Sequence, residues 1–215
     1  MAAGMVFEDR SQAAELLAER LAEYRGRRPL VMGIPRGGVV MARLIADRLE
    51  GDLDVVLVHK LGAPGQPEVA VGAVDEEGNV FISEFARGAV SPAYIEEERQ
   101  RQLAELQRRR AQYSPRAGRA DTADRITIVV DDGLATGATM KAALLSLRKG
   151  NPAELVAAVP VASPDAFTAV DRLADRVVCL SVPEFFMAVG QFYRDFRQVE
   201  DEEVVEALRG RQSGR

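Results

Sequence analysis

The stretch Ile126-Thr127-Ile128-Val129-Val130-Asp131-Asp132-Gly133-Leu134-Ala135-Thr136-Gly137-Ala138-Thr139 decides the architecture. Residues 126–129 are all β-branched and read as a buried strand. Apolar residues then recur at helical spacing over about 139–148, so a helix follows. Between the two, a pair of carboxylates stands at the carboxyl end of the strand, and small residues and hydroxyls open the helix. Such a loop suits a sugar phosphate. The helix start offers backbone N–H groups and the positive end of a dipole to an anion. Gly133 and Gly137 let the main chain come close to a ligand. Thr136 and Thr139 add hydroxyl donors, and Asp131 and Asp132 can accept from vicinal sugar hydroxyls.

Working outward, strands and helices alternate. Upstream, Asp9 or Ser11 can cap a helix whose Ala13, Leu16, Leu17, Leu21 and Tyr24 share a face, with Gly26 as its stop. A strand at 30–34 runs into Pro35-Arg36-Gly37-Gly38, and a helix at 39–49 follows. The next strand, 55–58, ends at His59-Lys60. Residues 63–67 carry loop chemistry, and 69–74 and 80–83 flank a turn as a hairpin. A long polar helix starts at Ser91-Pro92, with Glu96, Glu97 and Glu98 early and Arg108, Arg109 and Arg110 late, complementing its dipole. The triple arginine reads as a solvated face. A polar connector spans 114–124. Downstream come a strand at 154–161, a helix capped by Ser163-Pro164, a strand at 176–182, an aromatic-bearing tail and a short acidic helix at 201–208.

This order predicts an α/β fold: a mostly parallel central sheet flanked by helices, in one domain over 1–215. A hairpin-plus-helix insertion occupies about 61–124, and a small hood closes the C-terminal part. Ligands of such sheets bind beyond the carboxyl ends of the strands. That rule gathers Pro35–Gly38, His59–Lys60, Asp131–Thr139 and Val161–Pro164 along one edge.

Composition narrows the function. The 215 residues are 47% hydrophobic, enough for a core, and the net charge of −5 gives no footprint for non-specific nucleic-acid binding. Cys179 is the single cysteine, read as a small buried hydrophobe, so neither a disulfide framework nor a cysteine metal cluster is expected. No apolar run reaches spanning length and no signal-peptide pattern opens the chain, so no membrane partner and a cytoplasmic location are expected. His59, the single histidine, lacks the companions of a metal site or a nucleophilic triad and reads as a strand-end residue with a local hydrogen bond.

The segment Val129-Val130-Asp131-Asp132-Gly133-Leu134-Ala135-Thr136-Gly137-Ala138-Thr139 resembles the motif with which type I phosphoribosyltransferases bind 5-phosphoribosyl-1-pyrophosphate (PRPP). Gly33-Ile34-Pro35-Arg36-Gly37-Gly38-Val39 is similar to the pyrophosphate loop of the same family. The resemblance covers most of 30–182 and points to a bacterial subgroup with an extended second loop. It implies a type I phosphoribosyltransferase-like fold and a transferase of nucleotide metabolism and salvage. That enzyme would move 5-phosphoribosyl from PRPP to a purine- or pyrimidine-like nitrogenous base with release of pyrophosphate.

By the same resemblance, Gly133, Ala135, Thr136, Gly137, Ala138 and Thr139 hold the 5-phosphate. Pro35, Arg36, Gly37 and Gly38 hold pyrophosphate, with a strained or cis peptide expected near Pro35-Arg36-Gly37. Asp131, Asp132 and Lys60 are the catalytic candidates; Gln66 and Glu68 are further candidates for the group that closes over PRPP. Val161, Phe185 and Phe186 are candidates for the acceptor pocket. Phe192 and Tyr193 could join them or plug the open end of the sheet. Mg²⁺ is the implied cofactor, held by substrate and water with Asp131 or Asp132 as its protein contacts and no dedicated metal site. A homodimer is compatible with this reading.

Two other functions use part of the same residues. A PRPP-binding sensor without turnover would keep the motif. A nicotinamide-dependent oxidoreductase would rest on Gly33 to Asp54 alone, where the pattern is not G-x-G-x-x-G. No G-K-[ST] exists for a Walker-type loop.

Overall fold

The computed structural model describes residues 5–83, 86–113 and 119–209, without the side chains of 67, 68 and 70. Part of the expected connector, 114–118, and the Glu68 side chain lie outside the described residues.

The central sheet has five strands: β1 (Leu30–Gly33), β2 (Asp52–Val55), β6 (Ile126–Val130), β7 (Glu154–Val161) and β8 (Arg176–Ser181). Their order is β2-β1-β6-β7-β8, and every pairing is parallel. The β-branched run therefore forms the middle strand. Helices α1 (Arg10–Arg20) and α2 (Gly37–Leu49) cover one face; α4 (Ala138–Arg148) and α5 (Pro164–Asp171) cover the other. The period-2 rule sorts the strand residues between the faces. Val31, Ile126, Ile128, Val130, Val156 and Ala158 join the α1–α2 side, whereas Leu30, Met32, Val129, Leu155, Ala157 and Val159 join the α4–α5 side. Thr127 breaks the apolar pattern: its Oγ1 is buried with no hydrogen-bond partner among the described residues.

The helix starts follow the capping residues. Asp9 Oδ1 accepts from Gln12 N at 2.8 Å, and Ser163 Oγ accepts from Ala166 N at 3.2 Å with Pro164 in the first turn.

The insertion differs from expectation: residues 63, 66 and 67 of the expected loop lie in strands. The parallel strand ends at Val55, and Val58–Ala63 (β3) leaves to begin a second, antiparallel sheet with β4 (Gln66–Asp75) and β5 (Val80–Ile82). The apolar run 55–58 is thus shared between two sheets, and a run without alternation could not announce the break. The long helix α3 (Pro92–Tyr113) packs on this sheet, and α6 (Asp201–Arg209) packs against α2 and α3. Arg110 departs from the solvated reading. It is largely buried and bonds Asp54 Oδ1 at 2.9 Å, Val55 O at 2.8 Å and both carboxylate oxygens of Glu76 at 2.6 Å. Burying one charge demands partners on every side, and here they tie α3 to β2 and to the hairpin turn. Among the described residues, Arg108 and Arg109 pair with Glu105 on their own helix.

The two ends of the described chain meet. Phe7 N donates to Phe192 O at 2.8 Å and Arg194 N to Phe7 O at 2.9 Å, with the Phe7 and Tyr193 rings 5.4 Å apart. Among the described residues no helix is long and apolar enough to cross a membrane.

Candidate active site

The loop after β6 and the loop after β1 are joined by main-chain contacts at the carboxyl edge of the sheet. Ile34 N donates to Val130 O at 2.9 Å. Gly38 presses on the same carbonyl: a Cβ there would overlap Val130 O and fall 3.0 Å from Asp131 Cα. Gly37 faces the second acid, where a Cβ would overlap Asp132 Oδ2 and fall 2.7 Å from Arg10 Nε. The two glycines are therefore required by close approach, and they lay the main chain that follows Arg36 against the acid pair. The Pro35–Arg36 peptide is cis. Arg36 is partly exposed and lies 3.8 Å from Glu200 and 4.0 Å from Asp201, at the start of α6.

The acid pair is fixed from behind. Asp131 Oδ1 accepts from Asp132 N at 2.9 Å. Asp132 Oδ2 accepts from Arg10 Nε at 2.9 Å, and a second guanidinium nitrogen lies 2.8 Å away. Tyr193 Oη donates to Asp132 O at 2.7 Å. Burial, reinforced by the charge of Asp132, pushes the Asp131 carboxyl well above the usual carboxylate range. Burial also raises Asp132, against the opposing pull of Arg10. Tyr193 is raised too, by burial and then by the Asp132 charge. Two half-buried carboxylates held side by side mark a site that expects polar or cationic company.

The rest of the motif opens α4. Gly137 caps the helix in the left-handed region, φ 68°, where a side chain would be strained. Lys141 N reaches Gly137 O at 2.9 Å and Ala138 N turns to Thr136 Oγ1 at 3.3 Å, so the first-turn amides open toward the loop. Ala135, Thr136 and Thr139 are exposed and Ala138 is half-buried, while Gly133 is closely packed: a Cβ there would meet Val189 at 2.6 Å and Val161 at 3.1 Å. The loop after β7 buttresses this segment. Leu134 N donates to Val161 O and Ser163 N to Leu134 O, both at 2.9 Å, and Ser163 Oγ donates to Ala135 O at 2.7 Å.

Other candidates lie farther out. Lys60 is exposed on β3, opposite Ala73 of β4, past the end of β2. His59 beside it places Nδ1 3.1 Å from Lys60 O. Gln66 is exposed at the start of β4. Val161 is fully buried beneath Gly133. Phe186 is half-buried with its ring 5.3 Å from that of Phe192, and Phe185 is 78% exposed. Phe192 and Tyr193 are buried and pack the end of the sheet.

Sequence reasoning missed Arg10, Glu200 and Asp201. One signal pointed to Arg10: a cation in the first turn of a helix opposes the helix dipole and calls for an anionic partner. No such signal marks the start of α6, where acids are the ordinary choice.

Comparison with known proteins places the chain in a family. The profile of the phosphoribosyl transferase domain family matches residues 8–197. Two Mycobacterium tuberculosis proteins provisionally named phosphoribosyl transferases, from strains CDC 1551 and H37Rv, are each 43% identical over 205 residues, 94% of this chain. The chain spans about half of their length, 46%. The crystal structure of TT1426 from Thermus thermophilus is 47% identical with a TM-score of 0.85, covering 95% of this chain and 98% of that one.

Proposed function

Because the chain belongs to the phosphoribosyl transferase family, we propose that it is a Mg²⁺-dependent enzyme that transfers 5-phosphoribosyl from PRPP to a nitrogenous base and releases pyrophosphate. The observation that carries this is the contact of Gly37 with Asp132, which brings a pyrophosphate-suited loop and a ribose-suited acid pair within one side chain of each other.

Each group has a task. The amides of Gly37 and Gly38 and the forked cation of Arg36 take the pyrophosphate. Asp131 and Asp132 accept from the ribose hydroxyls, while Thr136, Thr139 and the amides that open α4 take the 5-phosphate. The bond from C1 to the pyrophosphate oxygen breaks ahead of attack, and its electron pair leaves with pyrophosphate. The positive charge that develops on the ribose lies beside two carboxylates. The base nitrogen then bonds C1 and sheds its proton, which Asp131, with its raised affinity for one, is suited to accept. No protein nucleophile is required; positioning and charge stabilisation suffice.

Magnesium fits the donor set. The two aspartates offer hard oxygen ligands, and no cluster of three or more metal-ligating side chains occurs among the described residues. A magnesium ion here would rest mainly on pyrophosphate and water, with Asp131 or Asp132 contributing. When bound, it neutralises the pyrophosphate charge.

The test is pyrophosphate release from PRPP and Mg²⁺ across a panel of purine and pyrimidine bases. Base-dependent release supports the transferase. Tight PRPP binding with no release for any base would replace it with a sensor.

A further inference from the structure

Arg36 is the cation of the loop after β1, and its charge is already engaged. Nη1 lies 3.8 Å from Glu200 Oε2 and 4.0 Å from Asp201 Oδ1. Both acids come from the start of α6, near the far end of the chain. That helix packs against α2, whose N-terminus Arg36 caps, so the meeting is fixed by the packing of two helices.

The contact is loose. Neither distance is that of a hydrogen bond, and the Arg36 side chain is 33% exposed. A guanidinium used as a brace is held differently: that of Arg110 is 13% exposed and bonds its partners at 2.6–2.9 Å. Arg36 is drawn to its acids by charge without being locked to them. The two acids differ in freedom. Asp201 Oδ1 accepts from Tyr113 Oη at 2.6 Å, which ties it to the last residue of α3. That bond, with the charges of Arg36 and Arg109 behind it, holds the Asp201 carboxyl below its ordinary range. Glu200 is more than half exposed, and its side chain makes no other ion pair or hydrogen bond among the described residues. Glu203, one turn on, is taken by Arg197 at 2.6 Å.

A loop that receives a multiply charged anion gains from cations, whereas here two carboxylates stand beside its arginine. They occupy the place of an anion. Resting on the phosphoribosyl reading of the site, we propose that Glu200 and Asp201 are an internal rival of pyrophosphate for Arg36. In the empty site they hold the guanidinium. Pyrophosphate draws it off them, and they recapture it as the product departs. The acids lower the affinity for the pyrophosphate end of PRPP and for the released product, and leave the 5-phosphate end untouched. The benefit is release: a highly charged product gripped by an arginine and by helix amides dissociates faster when its cation has somewhere else to go.

The test is isothermal titration of inorganic pyrophosphate with Mg²⁺ into wild type, Glu200→Asp, and the double variant Glu200→Gln with Asp201→Asn. The amide replacements keep size, and Asp201→Asn retains an oxygen for Tyr113. The double variant should bind pyrophosphate roughly three- to tenfold more tightly at about 0.05 M salt, and the gain should shrink toward about 0.5 M. Glu200→Asp keeps the charge and should stay within about twofold of wild type. Ribose 5-phosphate should bind all three proteins equally. Unchanged or weaker pyrophosphate binding by the double variant overturns the proposal, because the acids would then be steadying Arg36 for its ligand. An equal gain for ribose 5-phosphate, or a gain that persists undiminished in an Arg36→Ala background, also overturns it, since the acids would then act without Arg36. A wild type that binds no pyrophosphate overturns the transferase reading instead. In that event the ¹H–¹⁵N signal of the Arg36 guanidinium decides: a shift in the double variant upholds the hold of the acids on Arg36, and an unmoved signal ends it.

Discussion

Substituting Gly38 by alanine tests the junction on which the site is built. Gly38 lies in the first turn of α2, so on propensity alone alanine should gain up to about 1 kcal/mol. The structure opposes that gain. The new methyl would overlap Val130 O and crowd Asp131 Cα at 3.0 Å, and neither belongs to a side chain that can swing away. Overpacking of this kind costs about 1–3 kcal/mol. Displacing Val130 O also endangers the 2.9 Å bond from Ile34 N, worth roughly 0.5–1.5 kcal/mol. The net expectation is a loss of about 1–3 kcal/mol, which for a chain of this size lowers Tm by roughly 2–12 °C. Because the displaced carbonyl immediately precedes Asp131, PRPP affinity should fall at least about tenfold, equivalent to 1.4 kcal/mol. Calorimetry and isothermal titration read the two effects. Gly26→Ala is the control. Gly26 has φ 75° with nothing near its absent Cβ and lies away from the site, so alanine should cost about 1–2 kcal/mol of backbone strain and leave PRPP binding unchanged. A Gly38→Ala protein with wild-type Tm and wild-type affinity would refute the packed junction.

Arg36→Ala should weaken PRPP by roughly 10- to 100-fold, the worth of a charged hydrogen bond, while ribose 5-phosphate binding changes little; equal losses for both ligands would remove Arg36 from pyrophosphate recognition. The double change Asp131→Asn with Asp132→Asn should abolish turnover or PRPP binding, with single losses on the order of a hundredfold in rate; unchanged kinetics would detach the acids from the ribose. Thr127→Val replaces a buried, unpartnered hydroxyl by a methyl of similar shape and should stabilise by about 1 kcal/mol, raising Tm by about 2–4 °C; a drop in Tm would mean that the hydroxyl is bonded after all. Cys179 is pushed up to about 11, chiefly by burial. Its thiolate is therefore scarce in the native state until the pH approaches that value, whereas the unfolded thiol ionises near 8.5. At pH 8 iodoacetamide should modify the native protein about a hundredfold more slowly than the denatured one, and equal rates would contradict the raised pKa of this half-buried thiol.

The parallel sheet and the approach of its loops were legible because they follow from local rules. Strands alternating with helices demand crossovers, and crossovers place their loops on one edge. The β-branched run at 126–129 read as a buried strand, and it lies in the middle of the sheet. What escaped was set by tertiary contact. The end of β2 was hidden because residues 55–58 are apolar in both sheets they serve, and a change of sheet leaves no trace in hydrophobicity. Arg110 looked like its neighbours Arg108 and Arg109, yet only its position on α3 faces Asp54 and Glu76. Arg10 belongs to the site through a helix that the motif does not mention, and Tyr193 is bonded to Asp132 O rather than offered to a ligand. Both depend on the pairing of Phe7 with Tyr193, a contact between distant segments that no spacing encodes.

That pairing has a bearing on biosynthesis. Phe7 leaves the ribosome some 185 residues before Phe192, its hydrogen-bond acceptor, which at 5–20 residues per second is a delay of about 10–40 s. During it, α1 can rest on α2 and the growing sheet, but nothing yet covers Phe7 or anchors Arg10 from the far side. A nascent chain stalled anywhere before the last aromatic segment would carry the loop between β6 and α4 intact and still lack the Tyr193 contact that braces it, so translation to that point is itself a condition for the finished loop.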